Sequence, residues 1–468
     1  MKVLLAASEV APVIKIGGLG DVIGALPKAL EKISVNVDVI VPFFPSAKIE
    51  NLQLYKSFDL HVPFANKNNV VEVFKTKLPD SNVDLYLLKN EEFFVAGGSN
   101  FFANNVTETQ MFAFFNKAIV EYVKSSFNTY DIVHCNDWHT GLVTGLLNDE
   151  LGSERPRTLF TIHNLNYQGI GNPALLRDTG IVPGEHPLID WDLADGDLNM
   201  MQQGITSSDF INTVSPSYAK EILTKEFGSN FEDILKAREG RLSGILNGVD
   251  YSAQPRTYDI NSVEEGKKEA KKALMDRLKI DKKHKDAPIF SFIGRIDAFQ
   301  KGLDILFDSL PDLLKEDAVF VLLGTGDKKW EEKLITLSKH KTISDKFSCN
   351  IMFDIELANL MYAGSDFLVV PSRYEPCGLI QMIAMWYGTL PIVHDVGGLK
   401  DTVKNGETGF VFNRYSAGAL SASMKEALDV YGTEKMTQMI QNAMKKDFGW
   451  EQSAVEYKKL YEKITAHV

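Results

Sequence analysis

Short apolar runs, each closed by a small or polar residue, recur along the whole chain. In the first half they fall at residues 3–7, 35–41, 70–74, 83–88, 132–134, 159–163 and 210–214, and in the second at 289–296, 319–323, 350–353, 367–370, 391–394 and 410–412. Continuous runs of this length mark strands covered on both faces, and the stretches between them are long enough for crossover helices. The alternation predicts α/β layers in which a parallel sheet is doubly wound. One intervening helix is read directly: Val22, Ile23, Leu26, Ala29 and Leu30 recur at helical spacing after the first run, with Pro27 as an irregularity inside it.

The runs stop near residue 248 and restart at 289. In between lie Pro255, a lysine-rich helical stretch at 266–278 and the charged segment 281–286. A chain of 468 residues also exceeds the roughly 250–300 residues at which single cores stop growing. Two Rossmann-like domains are therefore predicted, 1–247 and 248–447, followed by a helical tail at 448–468. Ligands of such sheets bind outside the carboxyl ends of the strands, so the expected site is a central crevice lined by strand ends from both halves.

Charge and composition narrow the partners. Acidic residues outnumber basic ones by 62 to 50 and no block of like charge stands out, which argues against nucleic acid and anionic membrane surfaces. Cys135, Cys349 and Cys377 are odd in number and form no CxxC pair, so neither a disulfide framework nor a zinc ribbon is expected, and a reducing cytoplasm fits. The apolar start falls short of the ~7–15 residues of a signal peptide core and is interrupted by Glu9. No run approaches the ~18 apolar residues of a spanning helix.

The chemistry sits in loops that come after predicted strands. Lys15-Ile16-Gly17-Gly18-Leu19-Gly20-Asp21 precedes a helix; its glycines let the backbone approach a ligand, the helix start offers N–H groups to an anion, and Lys15 adds charge. It is neither GxGxxG nor a P-loop, which argues against a nicotinamide-dependent dehydrogenase. His134-Cys135-Asn136-Asp137-Trp138-His139 follows a strand at 131–133 and holds three ligand-type side chains, but no further cluster completes a metal site. An Asp and an amphipathic Trp there suit sugar hydroxyls. Thr161-Ile162-His163-Asn164 closes another strand.

In the second half, Gly294-Arg295-Ile296-Asp297-Ala298-Phe299-Gln300-Lys301-Gly302 sets two cations outside a strand end, where they can neutralise a leaving diphosphate without a metal. Farther on, in Pro371-Ser372-Arg373-Tyr374-Glu375-Pro376-Cys377-Gly378-Leu379, Glu375 is a candidate acceptor for sugar or ribose hydroxyls and the succeeding N–H groups for phosphate oxygens. Cys377 has no partner histidine in view and reads as a packed thiol. The triplet Asp195-Gly196-Asp197 lies outside any strand–turn context and is expected to be solvated.

Taken in order, these segments resemble the bacterial and plant glycogen and starch synthases, glycosyltransferase family 5, over essentially the whole chain. The resemblance is carried by Lys15-x-Gly17-Gly18-Leu19, His134-x-Asn136-Asp137-Trp138-His139, Thr161-Ile162-His163-Asn164-Leu165 and Tyr167-Gln168-Gly169. It continues through Thr213-Val214-Ser215-Pro216-x-Tyr218-Ala219, Gly244-Ile245-Leu246-Asn247-Gly248, Gln300-Lys301-Gly302, the segment from Pro371 to Leu379 and Gly397-Gly398-Leu399-x-Asp401-Thr402-Val403.

The resemblance implies the two-domain GT-B architecture, ADP-glucose as donor, an α-1,4-glucan such as glycogen as acceptor, retention at the anomeric carbon, and neither cofactor nor metal. It implies Lys15 and the Gly17 and Gly18 amides at the diphosphate, Asp137 and His163 beside the glucose, and Arg295 and Lys301 on the departing diphosphate. Glu375, Cys377, Gly378 and Leu379 would hold sugar hydroxyls and phosphate. Asn247 would line the donor pocket toward the acceptor, Phe353 would lie against adenine, and the C-terminal helix would return to the first domain. The chain departs from the family pattern at Ile380, where Thr is usual, at Gln202 and Met111, where Lys and Arg are frequent, and by one extra residue between Arg295 and Lys301. The competing readings are a GT-B transferase using a UDP sugar and an inactive glucan-binding homologue.

Overall fold

The computed structural model describes residues 1–95, 106–126, 129–182 and 191–466. They divide into two compact units, Met1–Gly248 with Trp450–Val468, and Val249–Gly449. In chain order the strands of the first unit are β1 (Lys2–Ala6), β2 (Asn36–Pro42), β3 (Tyr55–Phe64), β4 (Lys67–Lys77), β5 (Asp84–Lys89), β6 (Ile132–Asn136), β7 (Arg157–Ile162), β8 (Ile170–Gly171), β9 (Leu198–Asn199), β10 (Phe210–Thr213) and β11 (Leu242–Gly244). Nine of them form one sheet in the order β11-β10-β7-β6-β1-β2-β5-β4-β3, while β8 and β9 pair separately.

From β11 to β5 the strands are parallel, but β5, β4 and β3 run antiparallel. The hydrophobic pattern predicted a parallel sheet and passed over β3, for two physical reasons. The first half of β3 is exposed on both faces, so it carries no apolar run. The turn into β4 uses Ala65 and Asn66, both at positive φ as a primed two-residue turn requires, without the Asn-Gly or Asp-Gly pair that usually announces one.

The second unit holds β12 (Ile289–Ile293), β13 (Val319–Gly324), β14 (Phe347–Ile351), β15 (Phe367–Val370), β16 (Leu390–His394) and β17 (Phe410–Phe412). They form a wholly parallel sheet in the order β14-β13-β12-β15-β16-β17. β12, β13, β15 and β16 are buried along their whole length, as continuous apolar runs require. β14 starts and ends earlier than the run at 350–353 suggested, and Phe353 stands off the sheet, 85% exposed.

Each sheet starts near its middle and is wound outward in both directions. The strand order reverses between β1 and β6 in the first unit and between β12 and β15 in the second. Loops leaving such neighbouring strands part in opposite directions and open a recess at the strand ends. The four loops concerned come after Ala6, Asn136, Ile293 and Val370, and all four carry segments singled out in the sequence.

Helix α1 (Gly18–Lys32) succeeds the first of these loops and buries Leu19, Val22, Ile23, Leu26, Ala29 and Leu30; Pro27 is buried inside it. The C-terminal helix Trp450–Ala466 belongs to the first unit and buries Tyr457 and Tyr461. Tyr461 Oη lies 2.8 Å from His134 Nδ1, and His134 Nε2 lies 2.7 Å from Thr161 Oγ1. His134 is therefore an interior residue of β6, held by hydroxyls on both nitrogens. Among the described residues no helix is long and apolar enough to cross a membrane.

Candidate active site

In the first unit the loop after β1 turns back on itself. Glu9 is only 5% exposed, and its Oε2 accepts the Ile16 N–H at 2.5 Å and the Gly17 N–H at 2.8 Å. Gly17 is the N-cap of α1 and has no side chain with which to cap it, so Glu9 supplies an anion to the helix start from a distance of several residues. The fit demands glycine nearby: a β-carbon at Gly20 would lie 2.9 Å from the same oxygen. Burial raises the Glu9 pKa, opposed by hydrogen bonds from the Gly17, Ile16 and Gly20 amides. The Gly17 N–H, expected from the sequence to face a diphosphate, is thus directed at Glu9. Lys15 stays half-exposed and pairs with Asp21 at 2.7 Å.

At the end of β6, Asp137 has φ 57° and ψ 178°, a region that a residue with a β-carbon enters only under strain. Its side chain is buried, and Oδ1 accepts the His163 N–H at 2.7 Å and, more weakly, the Asn164 N–H at 3.4 Å. Burial pushes its pKa up to about 7 against those two hydrogen bonds, and the charge of nearby Glu9 adds to the rise. His163 Nε2 lies 2.9 Å from Asn136 Oδ1, and burial holds the imidazole down to about 3. Asn247, past β11, is buried with an Oδ1 that has no hydrogen-bond partner among the described residues.

The second unit is built on charge. Asp297 caps the one-turn helix Ala298–Lys301 through the Gln300 N–H, and this aims Lys301 at the loop after β15. Lys301 Nζ donates to Glu375 Oε2 at 2.6 Å, and Ser372 Oγ donates to the same oxygen at 2.8 Å. Glu375 is 6% exposed. The two loops interlock at Gly302, where φ is 70° and a β-carbon would lie 2.0 Å from the Pro371 carbonyl oxygen. The Arg373 N–H completes the clasp by donating to the Gln300 carbonyl at 2.9 Å.

Arg295 is turned onto its own loop. Its Nη2 lies 2.6 Å from Gln300 Oε1 and 3.0 Å from Asp297 Oδ2. The loop that is one residue longer than the family pattern folds as the short helix, with Phe299 exposed on it. Cys377 is buried, and its carbonyl and that of Gly378 accept from Gln381 Nε2 at 3.2 and 2.7 Å, which fixes the loop leading to Leu379 and the helix Ile380–Trp386. Asp195 and Asp197 lie in a surface turn bridged by their own hydrogen bond. Among the described residues no group of three or more His, Cys, Asp or Glu side chains is placed to hold a metal ion.

Three residues of these two clusters, Glu9 and Asn136 in the first unit and Ser372 in the second, carry a role that the sequence did not assign to them. Glu9 stood out there only as a break in an apolar run. Asn136 and Ser372 belong to the motifs but were given no part, although both lie beside a residue that was.

Residues 2–237 match the family described as the starch synthase catalytic domain, and residues 276–446 match the group 1 glycosyl transferases. The chain is 40% identical to the glycogen synthase of Fervidobacterium nodosum, covering 100% of both chains. It is 40% identical to that of Lactococcus lactis subsp. lactis, covering 99% of this chain and 100% of the relative. Among solved structures, the catalytic domain of starch synthase IV from Arabidopsis thaliana bound to ADP and acarbose is similar with a TM-score of 0.90 at 28% identity, over 100% of this chain and 99% of that one. A sucrose-phosphate synthase from Thermosynechococcus elongatus shares the fold, with a TM-score of 0.64 at 19% identity over 100% of both chains. The two doubly wound units are the GT-B architecture, and the chain belongs to the starch and glycogen synthase family of glycosyltransferases.

Proposed function

We propose that the chain is a retaining glucosyltransferase that lengthens an α-1,4-glucan such as glycogen by transferring glucose from ADP-glucose and releasing ADP. The observation that carries the reading is the cluster at Glu375. One oxygen of this buried carboxylate is held by Lys301 and Ser372, so the other is left to accept from a sugar hydroxyl. A buried carboxylate paired with a lysine at the switch point of a parallel sheet suits a ligand that has hydroxyls at one end and anionic oxygens at the other.

In the reaction the bond from the anomeric carbon to the β-phosphate oxygen breaks, and a bond from the same carbon to the acceptor 4-oxygen forms on the same face. The acceptor proton passes to the departing phosphate oxygen, so no side-chain nucleophile is needed. The chief demand is stabilisation of charge developing on the diphosphate. Lys301, with Arg295 released from Asp297, meets that demand, and no metal enters. Lys15 and the Gly18 and Leu379 backbones add donors for phosphate oxygens, while Asp137 and His163 hold sugar hydroxyls. The orphan Oδ1 of Asn247 accepts from a hydroxyl toward the acceptor, and the exposed ring of Phe353 offers a face to adenine.

The test is the initial rate on a glycogen primer with ADP-glucose or UDP-glucose, in the presence of a divalent chelator. Transfer from ADP-glucose that is unaffected by chelation, with retained configuration by NMR, is expected. A preference for UDP-glucose overturns the donor, a loss restored by a divalent cation overturns metal independence, and glycogen binding without transfer overturns the activity.

A further inference from the structure

Asn136 is the last residue of β6 and is almost wholly buried. The two ends of its amide are told apart by their neighbours. Nδ2 faces the Ala6 carbonyl at 3.1 Å and the His134 carbonyl at 3.3 Å, and carbonyl oxygens only accept. The atom 2.9 Å from His163 Nε2 is therefore Oδ1, itself an acceptor, so Nε2 must carry the imidazole proton. A neutral ring protonated at Nε2 has a bare lone pair at Nδ1. The His163 main chain is held as well, because its N–H donates to Asp137 Oδ1. Asn136 is itself anchored through its N–H, which donates to Thr140 Oγ1 at 2.7 Å.

We propose that Asn136 is a positioning residue that locks His163 in the Nε2–H form, so that Nδ1 accepts a hydrogen bond from one hydroxyl of the transferred glucose. A bare nitrogen repels a phosphate oxygen and welcomes an O–H. Asn136 thereby makes His163 selective for the sugar end of the donor and unfit for the diphosphate end. The identity of the hydroxyl-bearing partner rests on the proposed function; the proton's place on the ring does not. The role would be invisible to a search for catalytic side chains, because Asn136 acts only through its neighbour.

Two measurements test it. In full-length protein labelled with 15N-histidine, with His163→Gln used for assignment, two-bond proton–nitrogen spectra are expected to show His163 protonated at Nε2 and bare at Nδ1. The opposite pattern overturns the proposal whatever the activity. Secondly, a series of ADP-glucose analogues, each lacking one hydroxyl, is compared in the wild type and in Asn136→Leu. In the wild type one deoxy donor is expected to lose about tenfold to a hundredfold in kcat/KM, the range for one buried hydrogen bond. In Asn136→Leu that selective loss is expected to vanish while the full donor slows. Undiminished selectivity in the variant overturns the proposal. If Asn136→Leu fails to fold, the wild-type spectrum still decides the tautomer. A wild type that transfers from neither ADP-glucose nor UDP-glucose overturns the proposed function and the sugar partner with it, a result separate from the spectrum.

Discussion

The two units use one topology to make opposite environments. Where the strand order reverses between β12 and β15, short loops bring together a lysine, a carboxylate and a hydroxyl, and the charges are paired. Where it reverses between β1 and β6, the titratable groups are desolvated: Asp137 is pushed up to about 7, Glu9 is raised, and His163 is held at about 3. The difference arises in the loops that leave the strands. The loop after β1 is long enough to fold Glu9 back onto the start of α1, and β6 is followed directly by a strained residue, Asp137, whose carboxylate faces backbone amides. Topology fixes where each unit opens a recess. The side chains decide its character, a lysine–carboxylate pair in the second unit and desolvated groups in the first.

Lys301 carries the largest expected effect. Lys301→Ala removes the cation proposed to stabilise the leaving diphosphate and leaves buried Glu375 with Ser372 alone. The expected result is a fall in kcat of about a thousandfold with donor saturating, and little change in glycogen affinity. A fall of less than tenfold would place the charge stabilisation elsewhere.

Asp137→Asn tests the other side through stability. A carboxyl raised from its ordinary value near 3.8 to about 7 holds a proton in the folded state that the unfolded chain gives up. Its stabilising contribution is complete below about 3.8 and is lost as pH rises through about 7. The amide does not titrate, so the variant is expected to gain on the wild type as pH rises, by up to about 3 kcal/mol between pH 5 and 8 in unfolding experiments. A gap that stays flat over that range would mean that Asp137 is already ionised in the folded protein.

Glu9→Ala is expected to act more gently. It removes the remote cap of α1, so a loss of about 1–2 kcal/mol in stability and a several-fold rise in the KM for ADP-glucose are expected, with kcat nearly kept. An unchanged KM would separate the glycine loop from donor binding.

Glu9 also shows why parts of this molecule were legible and others were not. The apolar runs located β1, β2, β5, β6, β7, β10 and the sheet of the second unit, because buried parallel strands advertise themselves by composition alone. β3 has no such run over its exposed half. Lys301 and Glu375 were visible because their residue types alone, a cation and a carboxylate in segments marked by glycine and proline after a strand, suit a ligand with anionic oxygens and hydroxyls. Glu9 acts on amides seven and eight residues ahead of it, through a fold of the loop that no periodicity records. Asn136 was visible as a letter in a motif, but its meaning depends on the β1–β6 register, which sets the Ala6 carbonyl against its amide.

The smallest effect tests whether the first unit's site depends on its surroundings. Beneath β6, Tyr461 of the C-terminal helix satisfies His134 Nδ1, and Tyr457 accepts from Asn212 Nδ2 at 3.0 Å. Tyr461→Phe leaves one buried imidazole nitrogen without its partner and keeps the ring's packing, so a loss of about 1–2 kcal/mol in stability is expected. The hydroxyl is bonded to His134 in the interior of β6, two residues short of Asn136, so kcat for glucosyl transfer should hold within about twofold. Hydrogen exchange is expected to quicken in β6, β7 and the C-terminal helix and to stay unchanged in β12 to β17. A fall in kcat that tracks the loss of stability would show that the C-terminal helix sets the position of Asn136 and Asp137 from below. The first unit's desolvated groups would then be held in place by the C-terminal helix, while the second unit's ion pair is held by its own loops.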